Sequence, residues 1–117
     1  MAKTLFILND PPYGTERSYN ALRLAGSLSK HEDAQVRVFL IGEGAACAHV
    51  HQQVPQGHYN IEVMLKTVAK HGGETGVCSS CMDARGIADT DLIEGTHRSS
   101  MDELTSWTRE ADKVLVF

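Results

Sequence analysis

The sequence predicts a three-layer α/β domain built around a mostly parallel sheet, and three observations carry that prediction. Segments of strand length alternate with segments of helical period along most of the chain. The two clearest strands, Lys3 to Asn9 (KTLFILN) and Val36 to Gly42 (VRVFLIG), are apolar on both faces, as strands covered on two sides must be. Helical patterns stand between the strands, and a strand, helix, strand order makes a crossover unit.

The elements follow in order. After the first strand, Asp10-Pro11-Pro12-Tyr13-Gly14 is a turn cluster. Tyr19, Leu22, Ala25 and Leu28 then recur at three-residue steps as a helix, with Thr15 placed to cap it. Beyond the second strand, Glu43 to Ala48 starts a short helix and Pro55-Gln56-Gly57 marks a loop. Ile61, Met64, Leu65 and Val68 occupy i, i+3, i+4 and i+7 of an amphipathic helix, capped by Asn60 and stopped at His71-Gly72-Gly73. A short strand is expected at Thr75 to Cys78, then a helical turn from Cys81 to Arg85 closed by Gly86. Ser100-Met101-Asp102-Glu103 is a capping box opening a helix with an apolar face of Met101, Leu104 and Ala111, with Trp107 on or beside it. A last strand runs from Lys113 to Phe117. Four strands are thus located; a fifth is expected to complete the layer.

Length and charge bound what such a domain does. The 117 residues suit a single domain spanning 1–117. A chain of this size buries roughly two-thirds of its unfolded surface, so a core forms without staples. A net charge of −4, with basic residues scattered, argues against a nucleic-acid partner. Three cysteines cannot all pair, and no leader or membrane-length apolar run is present, so a cytoplasmic protein with reduced thiols is expected.

The chemistry concentrates in Gly76-Val77-Cys78-Ser79-Ser80-Cys81-Met82-Asp83-Ala84-Arg85-Gly86, a CxxC where a strand meets a helix. In an open parallel sheet, sites lie outside the carboxyl ends of strands. A thiol beside unpaired helix N–H groups is favoured as thiolate, the nucleophile of sulfur and disulfide exchange, and Arg85 adds charge if it folds back. Three readings of the pair stay open: reactive thiols, a buried inert pair, or half of a zinc site completed by another subunit. The late position of the motif fits thioredoxin poorly.

Elsewhere, His49 and His51 in Cys47-Ala48-His49-Val50-His51 would point to different faces of a helix and read as solvated. Gly42-Glu43-Gly44 opens a dinucleotide fingerprint that Cys47 breaks, and no Gly-x-Ser-x-Gly elbow is present. Tyr13 and Gly14 follow the first strand, and His58 and Tyr59 precede a helix on the same side. These four are candidate binding residues on the rim; turn and cap roles are their structural alternative. No metal ligand set and no cofactor are expected within the chain.

Taken together, Asn-Asp-Pro-Pro-Tyr-Gly after the first strand, Val-Phe-Leu-Ile-Gly-Glu-Gly-Ala, Gly-His-Tyr-Asn-Ile-Glu-Val-Met-Leu, Val-Cys-Ser-Ser-Cys-Met-Asp-Ala-Arg-Gly-Ile and Glu-Ala-Asp-Lys-Val-Leu-Val-Phe resemble the DsrE/DsrF-like proteins. The likeness runs from about Thr4 to Phe117 and is nearest to the YchN-like branch of the family. It implies a flavodoxin-like or Rossmann-like α/β/α fold with a five-stranded sheet, and assembly into trimers or hexamers. For sulfur-relay members it implies a cysteine that carries sulfur as a persulfide. Counting back from Gly86 puts that role on Cys78, with Cys81 as the second cysteine of the YchN-like branch. The expected chemistry is a handoff in which Cys78 takes sulfur from a donor protein and passes it on. Cys81 attacking the inner sulfur would instead close a disulfide and expel sulfide, with Arg85 and the helix amides holding thiolate charge. The alternative is a non-catalytic oligomeric binding or scaffold protein whose CxxC is structural or binds metal between subunits. A five-stranded layer this small leaves little room for a deep pocket, so a site where subunits meet is expected.

Overall fold

The computed structural model describes residues 1–117. Five strands, β1 (Ala2–Leu8), β2 (Ala34–Leu40), β3 (Glu74–Cys78), β4 (Thr96–Ser99) and β5 (Lys113–Val116), form one sheet in the order β4-β3-β2-β1-β5. Every neighbouring pair is parallel, so the expected "mostly parallel" sheet is parallel throughout. The helices are α1 (Arg17–Ser29), α2 (Ile61–Lys70), α3 (Ser79–Ala84) and α4 (Met101–Glu110), and 3₁₀ turns span Gly42–Ala48 and Asp89–Asp91.

Strand alternation divides the core. Phe6, Leu8, Val36, Val38 and Leu40 face α1 and α2 in a cluster of 18 buried residues that also takes Met82 of α3. Leu5 and Phe39 point the other way, onto Leu104 and Trp107 of α4. The layers are therefore unequal: a single helix covers the second face, and Val114 and Val116 of β5 remain 39% and 65% exposed. Their register partners on β1 are Leu5 and Ile7, which places both valines on the α4 face.

Several boundaries differ from those the sequence suggests. β2 begins at Ala34 because pairing with β1 extends the ladder from Ala2↔Ala34 to Leu8↔Leu40. The fifth strand, β4, is Thr-His-Arg-Ser at an edge, where one ladder suffices and apolar alternation is not needed. Helix α3 starts at Ser79, immediately after β3, so Cys78 is its N-cap and Cys81 lies inside the first turn. Glu16 rather than Thr15 is the N-cap of α1, without a side-chain bond of its own; the Thr15 hydroxyl donates to Asp10 Oδ2 at 2.8 Å and accepts the Arg17 N–H, the first of the helix, at 3.4 Å. On α4, Leu104 and Trp107 are buried while Met101 is 59% exposed and Ala111 lies past the helix end, so the stripe is narrower than expected. Asn60 and Ser100 cap as expected, accepting the N–H groups of Val63 and Glu103 at 3.2 Å each, but the capping box is not closed, because the Glu103 carboxylate binds Ser99 and His97 instead of the Ser100 N–H.

Gly44 fixes the corner after β2. A Cβ there would sit 2.2 Å from the carbonyl oxygen of Leu8, so only glycine lets the Gly42–Ala48 turn press against β1.

Candidate functional site

Strand order decides where the candidate residues lie. β1 to β4 run outward in one direction and β5 returns to the other side of β1, so the topological switch lies between β1 and β5. Phe117 bridges that crevice: its carbonyl accepts the Asn9 backbone N–H at 2.9 Å and the Asn9 side-chain amide at 3.1 Å. The CxxC stands apart from the switch, at the carboxyl end of β3 between β2 and β4.

Cys78 is partly buried at this strand end, on the side of Ile7, Ile41 and α4. Its sulfur lies 3.4 Å from Ser80 Oγ. Burial opposes ionisation of Cys78. Hydrogen bonds from the Cys81 thiol, the Ser80 hydroxyl and the backbone N–H groups of Cys81 and Ser80 outweigh it and hold the thiol below its ordinary value. Cys81 behaves oppositely. Burial and its donation to Cys78 push it up, against the Gly42 N–H, which reaches Cys81 Sγ at 3.1 Å, and the Arg85 charge. The two shifts run in opposite directions, so Cys78 is the thiol held low and Cys81 the one held high.

Arg85 turns toward Cys81 rather than Cys78. Its guanidinium donates to the Cys81 carbonyl at 3.1 Å and to Glu43 Oε1 at 2.6 Å. A second arginine braces the opposite side of α3. Arg98 of β4 donates to Ser79 Oγ at 2.6 Å, Asp83 Oδ1 at 3.1 Å and Asp89 Oδ1 at 2.6 Å. The sequence points to Gly42 and Glu43 only as a broken dinucleotide fingerprint and gives Ser80 and Arg98 no role, because Gly42 reaches Cys81, Glu43 reaches Arg85 and Arg98 reaches Ser79 and Asp83 through tertiary contact, and Ser80 is an ordinary-looking serine.

Tyr13, Gly14, His58 and Tyr59 do come together. With Gln53, Val54 and Pro55 they line a cavity of about 370 Å³. The Tyr13 hydroxyl donates to Gln52 Oε1 at 2.8 Å and accepts the Ile61 N–H at 3.2 Å, while Tyr59 stacks between Tyr13 and Tyr19 with centroids 5.8 and 4.1 Å away. Gly14, at φ +104°, makes the turn that only glycine adopts without strain. None of the residues lining this cavity belongs to the cysteine cluster. A roomier cavity, about 430 Å³, opens at the amino ends of the strands around Lys30, His31 and His71, away from both.

Cys47 is a packing residue. It is fully buried, burial above all pushes its thiol up to about 12, and its sulfur faces the Asp10 carbonyl at 3.6 Å. His49 and His51 are exposed, as expected. No three of the His, Cys, Asp and Glu side chains gather as a metal site within the chain.

A sequence model of the DsrE/DsrF-like family matches residues 2–117. The chain belongs to the DsrE/DsrF-like family. Among its relatives, Protein YchN of Escherichia coli (strain K12) is 38% identical over 118 aligned positions, covering all of both chains. Uncharacterized protein MJ0989 of Methanocaldococcus jannaschii is 36% identical over 98% of this chain and 99% of its own. The crystal structure of the E. coli ychN protein superposes with a TM-score of 0.87 at 34% identity, covering both chains fully. MTH1491 of Methanobacterium thermoautotrophicum, at 14% identity and a TM-score of 0.75 over both full chains, shares the DsrE/DsrF-like chain's fold.

Proposed function

We propose that this DsrE/DsrF-like protein carries sulfane sulfur as a persulfide on Cys78, receiving it from a donor protein and passing it to an acceptor. The Cys78 thiolate attacks the outer sulfur of the donor persulfide. A bond forms between Cys78 Sγ and that sulfur, the donor's S–S bond breaks, and the donor leaves as a thiolate. The supporting observation is the asymmetry of the pair: Cys78, at a strand end and partly exposed, is the thiol held low, while Cys81 is held high. Reduced thiols of this kind suit the cytoplasm. No helix is long and apolar enough to cross a membrane. Incubation with a persulfide donor followed by intact mass measurement tests the reading. A cyanide-sensitive gain of one sulfur that vanishes in Cys78→Ser supports it, and a gain that survives Cys78→Ser overturns it.

One observation favours a second reading, an oligomeric scaffold with the CxxC packed between subunits. Val114, Val116, Ile7 and Ile41 lie on the thinly covered α4 face that Cys78 also borders. Assembly into a trimer or hexamer through this face would cover it, and a zinc ion would then need ligands from a second copy. Thiol accessibility separates the readings: rapid alkylation of native Cys78 favours the carrier, and protection until denaturation favours packing. Zinc in a native mass measurement, lost in Cys81→Ser, would favour the metal form.

A further inference from the structure

Cys81 is gripped by a corner of the fold for which carrying sulfur on Cys78 has no use. Gly42, the first residue of the 3₁₀ turn after β2, has φ +59° and aims its N–H at Cys81 Sγ, 3.1 Å away. The next residue, Glu43, holds Arg85 at 2.6 Å, and Arg85 donates to the Cys81 carbonyl at 3.1 Å. Gly44 packs against the Leu8 carbonyl with no space for a Cβ, so the corner is anchored to β1. Consecutive residues of one turn therefore contact the sulfur and the cation beside it. The charged or titratable groups facing Cys81 are Cys78 from β3, Arg85 from its own helix and, through Arg85, Glu43. Asp83 and Arg98 pair at the Ser79–Asp83 side of α3, about half a helical turn round from Cys81 and Arg85.

We propose that the Gly42–Glu43 corner makes Cys81 the resolving thiol of the site, with Glu43 as the positioning residue that holds it in reserve. This rests on the persulfide reading of Cys78. The Gly42 N–H supports sulfur that is losing its proton, and Glu43 offsets the Arg85 charge that would otherwise draw the thiolate out at rest. In the step itself Cys81 gives its proton to the outer sulfur of the Cys78 persulfide anion and attacks the inner sulfur. The Cys78–Cys81 bond forms, the bond to the outer sulfur breaks, and HS⁻ leaves. The two cysteine sulfurs are oxidised to a disulfide and the sulfane sulfur is reduced to sulfide, so no outside oxidant enters. A dithiol reductant then resets the pair. The site on this account releases free sulfide when no acceptor protein takes the sulfur.

The test begins in a Cys78→Ser background, where Cys81 is the site's remaining thiol. Its alkylation by iodoacetamide is followed from neutral to alkaline pH by peptide mass. Adding Glu43→Gln should lower the midpoint and speed alkylation at neutral pH roughly threefold. Glu43→Asp should restore the starting midpoint, and Glu43→Gln with Arg85→Gln should lose the acceleration. An unchanged midpoint in Glu43→Gln, or an acceleration that persists without Arg85, overturns the assignment. In the parent chain loaded with persulfide, sulfide should appear in step with disulfide, and Cys81→Ser should keep the added sulfur; sulfide release undiminished in Cys81→Ser also overturns it. A Cys81→Ser chain that never gains sulfur, with no sulfide released from the parent, refutes the carrier reading instead, while the alkylation series still reads the corner.

Discussion

Cys78 and Cys81 occupy the same turn and differ in what donates to them. Cys78 collects the Ser80 hydroxyl, two backbone N–H groups and the Cys81 thiol, whereas Cys81, the donor to Cys78, keeps its proton to higher pH. At neutral pH, native Cys78 should therefore alkylate before Cys81, and Cys47 only on unfolding; equal rates at Cys78 and Cys81 would contradict the assignment. The sign follows for stability as well. A folded value below the ordinary thiol value means ionised Cys78 contributes above that ordinary value and loses its contribution as pH falls through the folded one. Glu103 obeys the same logic at acid pH. Burial opposes its ionisation, but the Ser99 hydroxyl at 2.5 Å and His97 hold its carboxyl below the usual range. Its contribution is present above the ordinary carboxylate value and fades as pH falls through the lower folded one. Glu103→Gln should flatten the acid limb of a denaturation series, and an unchanged limb would refute this. The cysteines and Arg85 were legible because residue type and local spacing carry their chemistry. Gly42 and Glu43 were not, since Gly42 reaches Cys81 from 39 residues away along the chain and Glu43 reaches Arg85 from 42.

The elements were legible wherever burial imposes a period. β1, β2, α1 and α2 pack apolar side chains on the large core, and their patterns announce them. β4 does not, because an edge strand of Thr, His, Arg and Ser is held by one ladder and by Arg98's bonds to the α3 region rather than by apolar burial. The corner after β2 offers a sharp test of packing. Gly44→Ala forces a methyl against the Leu8 carbonyl and should cost about 1–3 kcal/mol in urea unfolding. Gly26→Ala, inside α1 with open space around its Cβ position, should instead add about 0.5–1 kcal/mol. Opposite signs are the prediction, and a neutral Gly44→Ala would show that the corner yields. Asn60→Ala removes the cap of α2 and should cost about 1 kcal/mol by the same measurement.

At the scale of the whole molecule, the all-parallel sheet puts the switch between β1 and β5 while the CxxC stands where β3 passes into α3. Both features lie at carboxyl strand ends, which the sequence suggested; their separation depends on strand order, which local patterns do not encode. The aromatic cavity is likewise an assembly of loops after β1 and before α2, legible in its residues and not in its detachment from the cysteines. The unequal faces of the sheet lead to a further prediction. Val116→Asp should shift the sedimentation of the protein toward a single chain if the open α4 face is where copies meet. Unchanged sedimentation would move the contact elsewhere.

The central claim is that Cys78 bears the sulfur. Intact mass after exposure to a persulfide donor tests it most directly: the account predicts a gain of one sulfur, removed by cyanide and absent in Cys78→Ser, and a gain that persists in Cys78→Ser would contradict it.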